Sequence, residues 1–235
     1  MTFSVVARDP RTGRLGIAAA TRFFAVGARV PFAASGVGAI ATQGLVNPYY
    51  GIDGLKLLAS GRSPVEVLAT VTETDPGCEH RQAHIVDASG RVAAHTGRHC
   101  LEWSGHLMGE AVSVAGNMLA GPRVLADALE AYREHSQLSF AARLITAMRA
   151  AEEAGGDRRG RQSASLLIMG DDEWSVLDLR VDDHPHPIAE LERLERVSRE
   201  EWAGYRQFVP TRQNPAGVTD HAVIDAAVGV PMQDV

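Results

Sequence analysis

The chain holds only two cysteines, Cys78 and Cys100, in 235 residues. That is too few for the disulfide framework of a small secreted fold, so both are expected as reduced thiols. It has no uncharged apolar run of the ~18 residues a membrane helix needs, and no basic N-terminal stretch followed by an apolar core and cleavage site. We therefore expect a cytoplasmic protein with no membrane partner. No stripe of Lys or Arg occurs, and a net charge of −6 leaves no electrostatic footprint for nucleic acid. A GxSxG elbow, a phosphate-binding glycine loop and a paired CxxC are all missing, which removes familiar routes to a serine hydrolase, a nucleotide enzyme and a zinc site. No internal repeat or low-complexity segment interrupts the chain. What is present is 45% hydrophobic, enough to bury the core of one sizeable domain whose default ligand is a small molecule or peptide.

Residues 2–8 and 15–20 are rich in small and β-branched side chains, and Asp9-Pro10-Arg11-Thr12-Gly13-Arg14 between them has the composition of a turn. They predict a β-hairpin. Strand-like runs follow at 28–34 and 37–43, where Gly and Ala suggest a sheet covered closely on both faces. Asn47-Pro48 and then Ser63-Pro64-Val65-Glu66 start two helices, the second with a capping box. Strands are expected at 81–87, 91–96 and 111–117, helices at 122–135 and 139–154, strands at 163–169 and 174–181, and a last helix from Pro187. Strands in runs alternating with helices in pairs predict an α+β fold: two sheets, or one large sheet, under helical layers rather than a βαβ nucleotide fold. Residues 1–200 form the domain; 201–235 are expected as an extension packed on the surface or on a partner.

Threonine directly follows Met1 at the head of the first strand. If Met1 is removed, a hydroxyl and a free α-amine share one residue, and the amine can serve as general base for the hydroxyl. Its ordinary pKa of about 7.7–8.0 lies near working pH. A threonine at position 2 with no function is the plain alternative.

Six pieces resemble, in order, the bacterial family catalogued as domain of unknown function 1028. They are Thr2 to Asp9, Arg22-Phe23-Phe24-Ala25-Val26-Gly27, Gly38-Ala39-Ile40-Ala41-Thr42-Gln43, Gly116-Asn117-Met118-Leu119, Gly156 to Ser163, and Leu179 to Pro185. They span roughly residues 2–196; the tail lies outside. The resemblance implies the Ntn-hydrolase superfamily, with its four-layer αββα sandwich, and hence an N-terminal-threonine amidohydrolase that cleaves an amide or ureide C–N bond through an acyl ester. It implies no cofactor and no metal.

Thr2 is then the candidate nucleophile. Arg22, after the second strand, is a candidate for tuning its amine, against the alternative of a surface arginine at a strand end. Thr42 and Gln43 before a helix, and Asn117 at another strand end, are candidates for substrate binding or the oxyanion hole; Asn117 could equally cap the next helix. Asp157, amid Arg158, Arg159 and Arg161, and Ser163 at the next strand are candidates to orient the ammonium or hydroxyl, unless the charged loop is simply solvated. His95, His99 and Cys100, with Cys78 and His80, have loose metal-like spacing, as does Asp182-Asp183-His184-Pro185-His186, but scattered histidines and a polar turn explain them as well. Rival readings are a non-catalytic sandwich acting as a ligand-binding or assembly module, and hydrolysis by an internal nucleophile or bound metal. A homo-oligomer is expected.

Overall fold

Alternation along the first two strands decides which side chains face which neighbour. In β1 (Thr2–Arg8), Phe3, Val5 and Ala7 point one way, and Thr2, Ser4 and Val6 the other. The partner β2 (Leu15–Thr21) is buried along its whole length, which its Gly and Ala residues permit. A Cβ on Gly16 would come within 2.6 Å of Leu144 Cδ1, so the helical layer sits directly on the strand. The connecting turn is closed by Asp9, whose carboxylate accepts from Thr12 Oγ1 at 2.7 Å, and by Gly13 at φ +74°.

The computed structural model describes residues 2–200 and 202–228. Met1, Glu201 and residues 229–235 lie outside the described residues, and with them the end of the extension expected at 201–235. After β2 come β3 (Pro31–Ala34), β4 (Gly38–Gly44), α1 (Tyr49–Ala59), α2 (Pro64–Glu73), β5 (Arg81–Asp87), β6 (Val92–Thr96), β7 (Gly105–Gly109) and β8 (Val112–Asn117). Then follow α3 (Arg123–Glu134), α4 (Phe140–Glu153), β9 (Ser163–Met169), β10 (Ser175–Val181), α5 (Pro187–Glu200), α6 (Trp202–Arg206) and α7 (His221–Ala227).

The strands form two antiparallel sheets, one ordered β10-β9-β2-β1-β8-β7 and the other β3-β4-β5-β6. Phe3, Val5 and Ala18 of the larger sheet pack with Leu125, Leu144 and Ile188 of α3, α4 and α5. Val6, Ile17 and Ala19 on its other face meet Ala39, Ala41 and Val86 of the smaller sheet. Ile40 and Ile85 on the far side of that sheet pack with Tyr50, Leu58 and Val67 of α1 and α2. Three apolar seams thus separate helices, sheet, sheet and helices.

The structure departs from the sequence expectation at β3, at β7 and beyond α5, where α6 and α7 follow the helix expected to be last. Val26–Ala28 make a 3-10 turn, which delays β3, because Ala25 adopts φ +54° and Ser163 Oγ holds the Val26 N–H at 3.1 Å. The strand β7 was not expected: it is bounded by glycines and leaves Leu107 and Met108 exposed, so pairing with β8 forms it rather than a buried face. In the C-terminal part, Ala203 is buried in the helical seam and Trp202 Nε1 donates to Val176 O at 2.8 Å. Residues 202–206 therefore continue the outer helical layer, while α7 buries no residue.

Candidate active site

Thr2 heads a central strand, flanked on one side by β2 and on the other by β8, where it lies opposite Asn117. The hairpin register places Phe3 against Ala20, so Thr21 follows opposite Thr2, and the two hydroxyl oxygens lie 3.4 Å apart. Thr2 is 6% exposed and opens onto a cavity of about 370 Å³. The polar side chains lining it are Thr2, Thr21, Arg29 and Arg159, while Phe23, Val26, Val30, Leu45 and Val46 supply apolar wall. No histidine and no carboxylate is among the described residues that line it.

The loop Gly156 to Gln162 reaches the site through Asp157. Its buried carboxylate accepts from the backbone N–H of Arg22 at 2.7 Å and of Arg159 at 2.8 Å, and it pairs with the Arg159 guanidinium at 3.2 Å. Asp157 therefore ties two loops together and sets Arg159 on the cavity wall. The Arg22 side chain is exposed and donates to Gln162 Oε1; its backbone, rather than its guanidinium, belongs to this arrangement. Ser163 is fully buried, donates to Phe23 O at 2.6 Å and accepts from Val26 N–H. It holds the 23–26 segment that carries part of the wall. Arg29 lies over the Phe23 ring at 5.7 Å, and among the described residues no carboxylate pairs with it.

Gln43 and Asn117 meet behind Thr2 in a polar network between the sheets. Gln82 Oε1 accepts from Gln43 Nε2 at 2.8 Å and from Asn117 Nδ2 at 3.1 Å, and its amide nitrogen reaches Thr96 Oγ1 and Gly116 O, each at 2.9 Å. Ser4 Oγ donates to Gln43 Oε1 at 2.8 Å, so the 2.8 Å contact with His84 Nε2 has the ring donating. Burial, helped by His106, pushes the His84 pKa down to about 3, keeping the ring neutral. Thr42 points the opposite way, toward the helices, with its hydroxyl on Asn47 O at 3.2 Å. The following Gly44 does line the cavity; at φ +83° and with His80 O 2.8 Å from any added Cβ, that position excludes a side chain.

Thr21, Arg29, Arg159 and Gln82 were not singled out from the sequence. Thr21 was within reach, since the hairpin register extends to it; the other three are brought in by segments far apart in the chain. His95 Nε2 lies on Cys78 O at 3.0 Å, and the His80 and His99 rings lie 4.9 Å apart, tilted by 50°. Among the described residues no group of three His, Cys, Asp or Glu side chains is placed to hold a metal ion.

Residues 2–191 match a family of unknown function, DUF1028. The chain belongs to this family. A solved structure, protein SPO2555 from Silicibacter pomeroyi, also of DUF1028, is 34% identical with a TM-score of 0.87, the alignment covering 94% of this chain and 96% of that one. Anbu (ancestral beta-subunit) from Yersinia bercovieri is 12% identical with a TM-score of 0.39, covering 82% and 92%. No curated protein matches. In this DUF1028 protein no helix among the described residues is long and apolar enough to cross a membrane.

Proposed function

We propose that this protein is an N-terminal-threonine amidohydrolase on an αββα sandwich of the Ntn type. One observation carries the proposal: the Thr2 hydroxyl lines a cavity whose other polar side chains are a threonine and two arginines. A guanidinium stays protonated and cannot act as base. The α-amine that Met1 removal exposes on Thr2 is therefore the base the site supplies. It takes the Oγ1 proton as Oγ1 bonds to the amide carbon, then returns it to the leaving nitrogen as the C–N bond breaks. Water hydrolyses the resulting Thr2 ester with the same amine carrying its proton. Arg159, anchored by Asp157, contributes positive charge beside the developing oxyanion and favours the neutral amine.

The unpaired Arg29 beside Phe23, Leu45 and Val46 supports a substrate with a carboxylate and an apolar group flanking the scissile amide or ureide, either a small molecule or a short peptide. The protein is proposed to work in the cytoplasm, without nucleic acid, membrane or cofactor, and as a homo-oligomer. In support of the last, Phe23 and Leu45, which line the cavity, are each more than half exposed, as are Phe24 and Tyr49.

Intact-mass measurement on the purified protein tests the reading. Loss of Met1 and an acyl adduct mapping to Thr2, absent from Thr2→Ala, is the expected result. Retained Met1 would make the protein a ligand-binding or assembly module, and an adduct on Cys78, Cys100 or Ser163 would replace the nucleophile.

A further inference from the structure

The far end of β1 carries a second cavity whose chemistry is unlike that around Thr2. Arg8 closes β1, six residues from Thr2, which sets the two ends about 20 Å apart. There the turns joining β5 to β6 and β7 to β8, the C-terminal turn of α3 and the first turns of α4 enclose about 540 Å³. Three guanidiniums line it, those of Arg8, Arg133 and Arg143, together with Tyr132. Among the described residues none of the three arginines has an ion-pair partner. Glu110 is the carboxylate in the lining, and it is exposed. Asp9, whose charge also reaches Tyr132, is taken by Thr12 at 2.7 Å and Arg11 at 3.6 Å.

Two buried polar atoms at this cavity have no partner among the described residues, the Tyr132 hydroxyl and Arg8 Nε. Tyr132 is 2% exposed, and burial pushes its hydroxyl up to about 12, so it remains a donor. Arg143 is fixed rather than mobile: its Nε donates to Tyr132 O at 2.6 Å and its guanidinium stacks 3.7 Å from the centre of the Tyr132 ring. That leaves its remaining N–H groups for a ligand. Buried donors without acceptors cost free energy until an acceptor arrives. In a chain of net charge −6, three converging unpaired cations are a local reversal of sign.

We propose that this cavity binds a phosphate-bearing small molecule, its phosphoryl group held by Arg8, Arg133, Arg143 and the Tyr132 hydroxyl. A carboxylate satisfies one guanidinium in a fork, whereas three guanidiniums and a hydroxyl match a dianion with three terminal oxygens. The volume exceeds that of a phosphate alone and falls in the range of cofactor and metabolite pockets, leaving room for the body that bears it.

Titration calorimetry and thermal melting with inorganic phosphate and pyrophosphate, against chloride at matched ionic strength and against succinate, test the site on the full chain. Saturable binding with a raised melting temperature is expected, tighter for pyrophosphate and absent for succinate. Arg133→Gln, at an exposed residue without an ion pair, should weaken binding at least tenfold while leaving the ligand-free melting temperature unchanged. Tyr132→Phe, which removes a hydroxyl that has no partner to lose, should weaken it several-fold. Thr2→Ala should bind as the parent does. No saturable phosphate binding, equal binding of succinate, or affinities unmoved in both Arg133→Gln and Tyr132→Phe would overturn the proposal.

Discussion

Arg29 separates two roles that a cation near a nucleophile could have. Its guanidinium rests against Phe23, whereas Arg159 pairs with Asp157, so on the proposed function Arg29 is the cation available to a substrate and Arg159 is the one held by the 156–162 loop. Replacing it should therefore weaken binding without slowing chemistry. With a carboxylate-bearing amide, Arg29→Gln is expected to raise KM about tenfold, or about 1.4 kcal/mol, at unchanged kcat, and to leave the neutral analogue unaffected. Steady-state kinetics on the two substrates check this; a fall in kcat would move Arg29 into the reacting shell. Ser163 illustrates the opposite case. A serine that looks like a candidate proton carrier spends its hydroxyl on Phe23 O and Val26 N, so it builds the wall that Thr2 faces.

At the scale of elements, the close approach of α4 to the larger sheet depends on the smallness of β2. Gly16 lies under Phe140 and Leu144, and an added Cβ would meet the Phe140 ring and a Leu144 methyl at under 3 Å. Gly16→Ala should cost about 1–3 kcal/mol through overpacking, read as a lower urea midpoint. The same substitution at Gly36, where a Cβ meets nothing within 4 Å but φ is +68°, would test backbone strain alone. Helix starts follow local chemistry: the Ser63 hydroxyl accepts from Glu66 N–H while the Glu66 carboxylate accepts from Ser63 N–H. That start was legible in the sequence. The strand β7 was not, because its glycine ends and exposed side chains give no periodic signal and only the partner strand selects it.

For the whole molecule, the two sheets are joined at the Thr2 end by a polar network rather than by apolar side chains, and this makes stability depend on pH. His84 titrates near 6.5 when unfolded but at about 3 in the fold, and burial lowers His106 in the same sense. Below pH 6.5 the unfolded chain binds more protons, so stability is complete above that pH and falls as pH drops toward 3. Each fully differential proton contributes a slope of about 1.4 kcal/mol per pH unit. Urea titrations between pH 7 and pH 5 should show this decline, and His84→Gln, which can still donate to Ser4, should flatten it. A parent midpoint constant across that range would show that His84 titrates normally.

The amino-acid sequence by itself determined most of the strands and helices, though not β7, α6 or α7, the hairpin that brings residue 2 beside residue 21, and the family to which the chain belongs. Those are consequences of short-range pairing, side-chain period and cap chemistry, which a local pattern records. Tertiary structure decided which groups face Thr2. It turned Gln43 and Asn117 onto Gln82 between the sheets and Thr42 toward the helices, and it set Arg29 and Arg159 on the cavity wall. The physical reason is that a β-strand sends neighbouring side chains to opposite faces, while a cavity is closed by segments more than a hundred residues apart. What each face meets therefore exists only once the two sheets have stacked.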